Sequence, residues 1–247
     1  VYSWNGSAWI QKGVDLVGEA PGDAVSSISM SSDGDTIVMG ASYNDGNGAD
    51  AGHARVYDWN GSAWVQRSND LDGESSTDYS GQSVTISADG NILALSSPGN
   101  NSNGNDSGYV RVYTWSGAAW VAMGTSIVGE SAEDKLNNVS LSTDGKTIAM
   151  GATGNDGNGS DAGHVRIYTW NGIAWVQRGA DINGETTGDM SGYSVAISDA
   201  GDTVAIGAPE NDGNGSNAGH VRLYDWNGTA WVQRGGDIEG EASDDRS

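Results

Sequence analysis

The 247-residue chain has no cysteine, no phenylalanine, only three prolines and only three lysines. Without cysteine there are no disulfides, no thiolate metal ligands and no thiol nucleophile. No apolar run approaches the roughly 18 residues of a membrane-spanning helix, so membrane insertion is not expected. Basic residues are scarce: 11 Lys and Arg stand against 33 Asp and Glu, a net charge of −22. Such a surface repels phosphate backbones and anionic headgroups, which excludes nucleic acid as a partner. It solvates the chain and attracts cations or basic partners. No segment shows helical periodicity of useful length. A phosphate-cradling glycine loop is excluded as well, because such a loop needs a following helix.

What is present repeats. Ten tryptophans fall in five pairs: Trp4 and Trp9, Trp59 and Trp64, Trp115 and Trp120, Trp170 and Trp175, Trp226 and Trp231. Both members step by 55, 56, 55 and 56 residues, and a Gly-Glu pair keeps the same beat at Glu19, Glu74, Glu130, Glu185 and Glu241. The alternation comes from one segment, DYSGQSV from Asp78 and DMSGYSV from Asp189, against the shorter DAVSSI from Asp23 and DKLNNV from Asp134. The length change is expected to lie in a loop. The repeats run 1–19 (partial), 20–74, 75–130, 131–185, 186–241 and 242–247, where the next unit starts. The chain opens in mid-pattern, so a segment of a longer array is expected, with a single four-blade domain carrying an extra hairpin as the alternative.

Each repeat holds four strand-like pieces. In the last complete copy they are Tyr193–Ser198 (strand A), Thr203–Ala208 (B), His220–Trp226 (C) and Ala230–Arg234 (D). Asn-Gly at Asn5, Asn60, Asn171 and Asn227 predicts two-residue turns between C and D. Asp-Gly at Asp33, Asp89 and Asp144 predicts the same between A and B. The C–D turn would set Trp226 opposite Thr229 and Tyr224 opposite Trp231, with Trp226, Tyr224 and Trp231 on one face. Val221, Leu223, Ala230 and Val232 fall on the other. A four-stranded unit apolar on both faces, repeated, predicts an all-β fold, a β-propeller of four-stranded antiparallel blades. The tryptophan pairs then either wedge one blade against the next or form a sugar-stacking shelf.

The stretch SGYSVAISDAGDTVAIGAPENDGNGSNAGHVRLYDWNG, Ser191 to Gly228, resembles an FG-GAP repeat, the unit of integrin α-subunit propellers and of bacterial integrin-like surface proteins. The Gly-x-Ser-Val strand and the Gly-Ala-Pro ending at Pro209 carry the likeness, which extends over four copies. The resemblance implies an extracellular adhesion or binding role and a calcium loop between strands A and B. That loop is reduced here to SSDGD, SADGN and STDGK, with few carboxylates.

Alternating strand directions put the two longer loops, B–C and D–A, on one face. That face carries NDGNG segments, the Gly-Glu pairs and an Asp four residues after each Glu, so it should be strongly negative. Asp45, Asn47, Asp50, Asp156, Asn158, Asp161, Asp212 and Asn214 are the candidate cation ligands, with calcium the candidate ion, since hard-cation loops alternate oxygen donors with glycine. Asn, Asp and Gly are equally what turns are made of. His53, His164 and His220 share one position in three repeats, with Tyr109 in the other, and are expected to cap strand C. No set of non-repeating residues forms an acid, base or nucleophile group. The expectation is a binding module, not an enzyme, presenting a repeated acidic face to a glycan or protein partner at the cell surface. The alternatives are a structural spacer that self-assembles and an accessory domain of a larger secreted enzyme.

Overall fold

In the computed structural model, residues 1–246 are described, and they form 22 β-strands and no helix. A hairpin of β1 (Tyr2–Trp4) and β2 (Trp9–Gln11) leads into four blades. The first is β3 (Val25–Met30), β4 (Thr36–Ala41), β5 (His53–Trp59), β6 (Trp64–Gln66) and β7 (Leu71–Asp72). The second is β8 (Val84–Ile86), β9 (Ile92–Ser97), β10 (Tyr109–Trp115), β11 (Trp120–Ala122) and β12 (Ile127–Val128). The third is β13 (Leu136–Leu141), β14 (Thr147–Ala152), β15 (His164–Trp170), β16 (Trp175–Gln177) and β17 (Ile182–Asn183). The fourth is β18 (Ser194–Ile197), β19 (Thr203–Ala208), β20 (His220–Trp226), β21 (Trp231–Gln233) and β22 (Ile238–Glu239). All pairings between named strands are antiparallel. The protein is an all-β, blade-type propeller.

No blade has a core of its own. One apolar cluster joins Val38, Ala54 and Val56 of the first blade to Leu93, Leu95, Tyr109 and Trp120 of the second. Another joins Val110 and Val112 to Leu136, Val139 and Ile148, and a third joins Val165 and Ile167 to Val204 and Ile206. Burial therefore happens between sheets, which is what two-faced apolar strands require. The innermost strands β3, β8, β13 and β18 pack one on the next. Their open edges are covered by hydroxyls: the Val84 and Ile86 N–H groups donate to Ser27 Oγ and Ser29 Oγ at 3.0 and 3.1 Å, and Ile197 N–H donates to Ser140 Oγ at 3.1 Å. An unpaired strand edge invites foreign pairing, and these bonds remove that opening.

Three expectations are corrected. The C–D connection is a four-residue loop, with Trp226 directly opposite Trp231 and Tyr224 opposite Gln233. The Asn side chain causes this: Asn227 Oδ1 accepts the N–H groups of both Thr229 and Ala230, closing an Asx turn wider than a two-residue hairpin. The shift is two residues, so the facing of every side chain survives. The A–B connection is also longer, spanning Ser31–Asp35 in the first blade, because Ser31 Oγ accepts the Thr36 N–H and donates to Asp33 Oδ1. Finally, the length alternation reaches into the inner strand. The shorter repeats begin it early, with a bulge between Val25 and Ser27 or Leu136 and Asn138, and the longer ones insert Gly81 or Gly192 at positive φ.

The outer strand is broken in every blade. After β6 the chain leaves the sheet at Arg67–Asp70, with Ser68 at φ 71°, and returns as β7 to pair with the start of β5. Gly124, Gly179 and Gly235 occupy the same left-handed position in the other blades.

The tryptophans sit at the junctions. Paired rings lie 5.4–5.7 Å apart. In three blades the second indole donates to a carbonyl of the preceding unit: Trp64 to Lys12, Trp175 to Met123 and Trp231 to Arg178, at 2.6–2.8 Å. Lys12, Arg67 and Arg178 each lie over the pair that follows, 4.9–5.8 Å from the ring centres. Trp4 and Trp9 of the first hairpin carry no such neighbour and are exposed. Replacing Trp64, 8% exposed, with Ala should cost about 3 kcal/mol of stability. The same change at Trp9, 66% exposed, should stay within about 0.5 kcal/mol. Equilibrium denaturation of both variants checks the contrast.

Candidate functional site

The B–C and D–A loops share one face and are tied together. Asn47 Nδ2 donates to Gly73 O at 2.7 Å, and Ser80 N–H to Ala51 O at 2.9 Å. The Asp that follows each Glu by four residues turns inward. Asp23 Oδ2 accepts the N–H groups of Glu19 and Ala20 at 2.9 and 2.8 Å. Burial pushes its carboxyl up, but these amides and the Asn44 side chain outweigh that and hold it below the usual carboxylate range. Asp78, Asp134 and Asp189 repeat the arrangement, each bonded to the Asn that opens the next B–C loop. These buried carboxylates close loops.

The NDGNG side chains also serve their own loops. Asp45 Oδ1 accepts the Asp50 N–H, Asp156 Oδ1 that of Asp161, and Asp212 Oδ1 that of Asn217, at 2.8–2.9 Å. Asn158 and Asn214 reach Gly184 O and Gly240 O as Asn47 reaches Gly73 O. Asp50 and Asp161 sit at φ 53° and 51°. One oxygen of each leading Asp is thus engaged by its own loop.

The three histidines fall in three separate groups, one to a blade, and each does more than cap its strand. Each meets two carboxylates from other segments. His53 opens β5, Glu19 comes from the loop before the blade, and Asp70 comes from the break between β6 and β7. The same geometry assembles Glu130, His164 and Asp181, and again Glu185, His220 and Asp237, with ligand-capable atoms within 4.8 Å of one another in each set. His53 Nδ1 lies 3.6 Å from Asp70 Oδ2 and 4.0 Å from Glu19 Oε2. His220 Nδ1 lies 3.8 Å from Asp237 Oδ2 and 3.9 Å from Glu185 Oε2. All three rings are 1% exposed. Three clusters that could hold a metal ion therefore stand at three blade junctions.

The carboxylates are positioned from behind. Gln66 Nε2 donates to Asp70 Oδ1, Gln177 to Asp181 Oδ1 and Gln233 to Asp237 Oδ1, at 2.5–2.6 Å. Arg55, Arg166 and Arg222 hold Oε1 of Glu19, Glu130 and Glu185 at 3.4–3.6 Å. The second oxygen of each carboxylate is left for the histidine. Burial and the Arg166 guanidinium hold the His164 imidazole below its ordinary value, hence neutral at pH 7. A cleft of about 420 Å³ opens over this cluster, lined also by Asn155, Asp156 and Asn183.

The second blade keeps Glu74 and Arg111 and departs at the other three positions. Tyr109 stands for His, Ser126 for Asp and Ala122 for Gln. Arg111 Nε donates to Ser126 Oγ at 2.9 Å, and its other arm pairs with Glu74.

A second cleft breaks the repeat. Tyr43 and Tyr79 meet edge-on with ring centres 5.7 Å apart. With Gln82, Asp106, Lys135 and Asn137 they line a pocket of about 250 Å³. Tyr43 stands where the other repeats have Gly99, Gly154 and Glu210, and Lys135 stands where the first has Ala24.

Comparison with known proteins agrees with this architecture. Residues 183–224 match the FG-GAP repeat family model. These residues are an FG-GAP repeat. No curated protein sequence matches the chain. Among solved structures, the chain is similar to the periplasmic gluconolactonase of Pseudomonas aeruginosa (TM-score 0.57, 17% identity, 96% of this chain and 62% of that one). It is also similar to hydrazine synthase of Kuenenia stuttgartiensis (0.54, 15%, 84% and 53%) and to TolB of Acinetobacter baumannii (0.52, 16%, 89% and 44%). The chain thus spans about half the length of these structures. The expectation that the protein is not an enzyme is corrected by the first of them: the same scaffold carries a gluconolactonase, so the fold excludes no catalysis. Among the described residues, no helix is long and apolar enough to cross a membrane.

Burial pushes the Tyr109 phenol up to about 12. Its folded value exceeds the unfolded value of about 10. The stability it contributes is complete below pH 10 and is lost as pH rises toward 12. The 295 nm phenolate difference between the parent and Tyr109→Phe should develop only near pH 12; a midpoint near 10 would place the ring in solvent.

Proposed function

We propose that the chain is a ligand-binding segment of a secreted or cell-surface propeller, and that its ligand is a glycan. The observation that carries this is the Tyr43–Tyr79 cleft, where the repeat is broken on its loop face. Rigid scaffolds concentrate recognition in such loops. A pocket with aromatic walls and a few convergent polar groups is the usual form of a small-ligand site. Here the walls are the two phenol rings, and the polar groups are the Gln82 and Asn137 amides, the Asp106 carboxylate and the Lys135 ammonium. Aromatic faces suit the C–H faces of a sugar, and amides and charges suit its hydroxyls. Amphipathic phenols lose little conformational freedom on binding.

The acidic surroundings restrict the choice further. With a net charge of −22, a neutral or amine-bearing sugar is favoured over a sulfated or uronic one. A glycan array probed with the labelled chain should light neutral or amino-sugar features and leave sulfated ones dark. Tyr79→Ala should weaken binding at those features about tenfold, the loss typical of removing a central aromatic contact. Tyr2→Ala, at an exposed position away from the cleft, should leave them unchanged. An array with no signal, or binding indifferent to Tyr79→Ala, rejects this reading.

A further inference from the structure

We propose that the three Glu–His–Asp clusters are binding sites for divalent transition ions of the zinc class, one at each of three blade junctions, and that the junction at Tyr109 has lost its site. The clusters lie apart from the tyrosine cleft, and the inference stands independently of the glycan reading.

The first support is a polar group left over. His53 and His220 have neither ring nitrogen hydrogen-bonded, and His164 has Nε2 unpartnered, although all three rings are buried. Leaving a buried polar group unpaired costs about 1–3 kcal/mol. A chain that does so at the same place in three repeats is holding a donor for something else. The spacing is informative. At 3.6–4.0 Å the carboxylate oxygens are too far from Nδ1 for hydrogen bonds. Metal–ligand bonds of about 2.0–2.2 Å place neighbouring ligand atoms about 3.3–3.6 Å apart in a tetrahedron. The Nδ1–carboxylate separations at His53 and His220 reach that with a contraction of a few tenths of an ångström.

The second support is the layer behind. Arg on one carboxylate and Gln on the other each engage the far oxygen, which fixes the near one toward the ring. Metal ligands are normally oriented by such outer partners. The third is the second blade. His, Asp and Gln are replaced together there, by Tyr109, Ser126 and Ala122, whereas Glu74 and Arg111 persist and pair with each other. Three positions that served packing alone would have no cause to change as a set.

The donors choose the ion. Calcium takes six to eight oxygens, and a buried imidazole nitrogen gives it nothing. One nitrogen with two carboxylates suits Zn2+, Co2+, Ni2+ or Mn2+. Three protein ligands also leave an open coordination position, and over the His164 cluster that position faces the cleft.

The test is a calorimetric titration of the chelator-treated 247-residue chain with ZnCl2, and with CaCl2 at the same concentrations in 0.15 M salt, which suppresses diffuse binding to the acidic surface. The expected stoichiometry is three zinc ions per chain, with Co2+ giving tetrahedral visible absorption and CaCl2 failing to compete. His164→Ala and, separately, Asp181→Asn should each remove one equivalent. The latter changes a part-exposed carboxylate and so keeps the fold if the former does not. The combined change Tyr109→His, Ser126→Asp and Ala122→Gln should add one equivalent. Zinc heats absent, calcium competing equally, or a stoichiometry indifferent to Asp181→Asn and to the combined change would each overturn the proposal.

Discussion

The structure depends on the closure of one sheet on the next through the paired indoles. A four-stranded blade with two apolar faces cannot stand in water by itself. The Trp pair resolves this on the outer rim, where one ring of the pair in each of the four blades reaches a carbonyl or a cation of the preceding unit, as Trp231 does at Arg178. Aliphatic side chains resolve it nearer the axis, as Leu93 and Leu95 do against Val38. Because neither contact lies within a repeat, every junction is both the core and the only place where residues from different repeats can meet. The candidate sites therefore gather at junctions.

That geometry explains what was legible from the sequence. The beat of the tryptophans gave the blades, and the parity of strand residues gave the faces, even though the C–D loop is wider than Asn-Gly alone suggests. Parity survives a shift of two, so Trp226 and Trp231 remain on one side whichever register holds. Turn length was less accessible, since it depends on where the Asn227 and Ser31 side chains place their oxygens. The histidine clusters were not visible in any one repeat, because Glu19 belongs to the unit before His53 and Asp70 reaches it only through a break in the outer strand. The usable signal was the joint departure of Tyr109, Ser126 and Ala122 from the pattern.

The acidic loop face divides into groups that hold the loops and groups that remain free. Asp23, Asp78, Asp134 and Asp189 are consumed by backbone amides, and the leading Asp of each complete NDGNG segment gives up one oxygen. The carboxylates poised for chemistry are those with one oxygen fixed and a buried ring beside the other. A count of charges alone would not separate these classes, and neither would the spacing of Asp and Asn along a loop.

The alternation of repeat length has a consequence for how such a chain can grow. In the first and third blades, Gly40 and Gly151 lie against the inserted Gly81 and Gly192 of the next blade, where an added Cβ would come within 2.0 and 1.9 Å of a carbonyl oxygen. The second blade has Ser96 at the matching place, and its neighbour lacks the insertion. Excising the third unit alone would bring Ser96 against the inserted Gly192, where Gly151 now leaves no room for a side chain. Removing the second and third units together would instead set Gly40 against Gly192, glycine on glycine, so at this point of the chain the removable unit is a couplet, one long and one short.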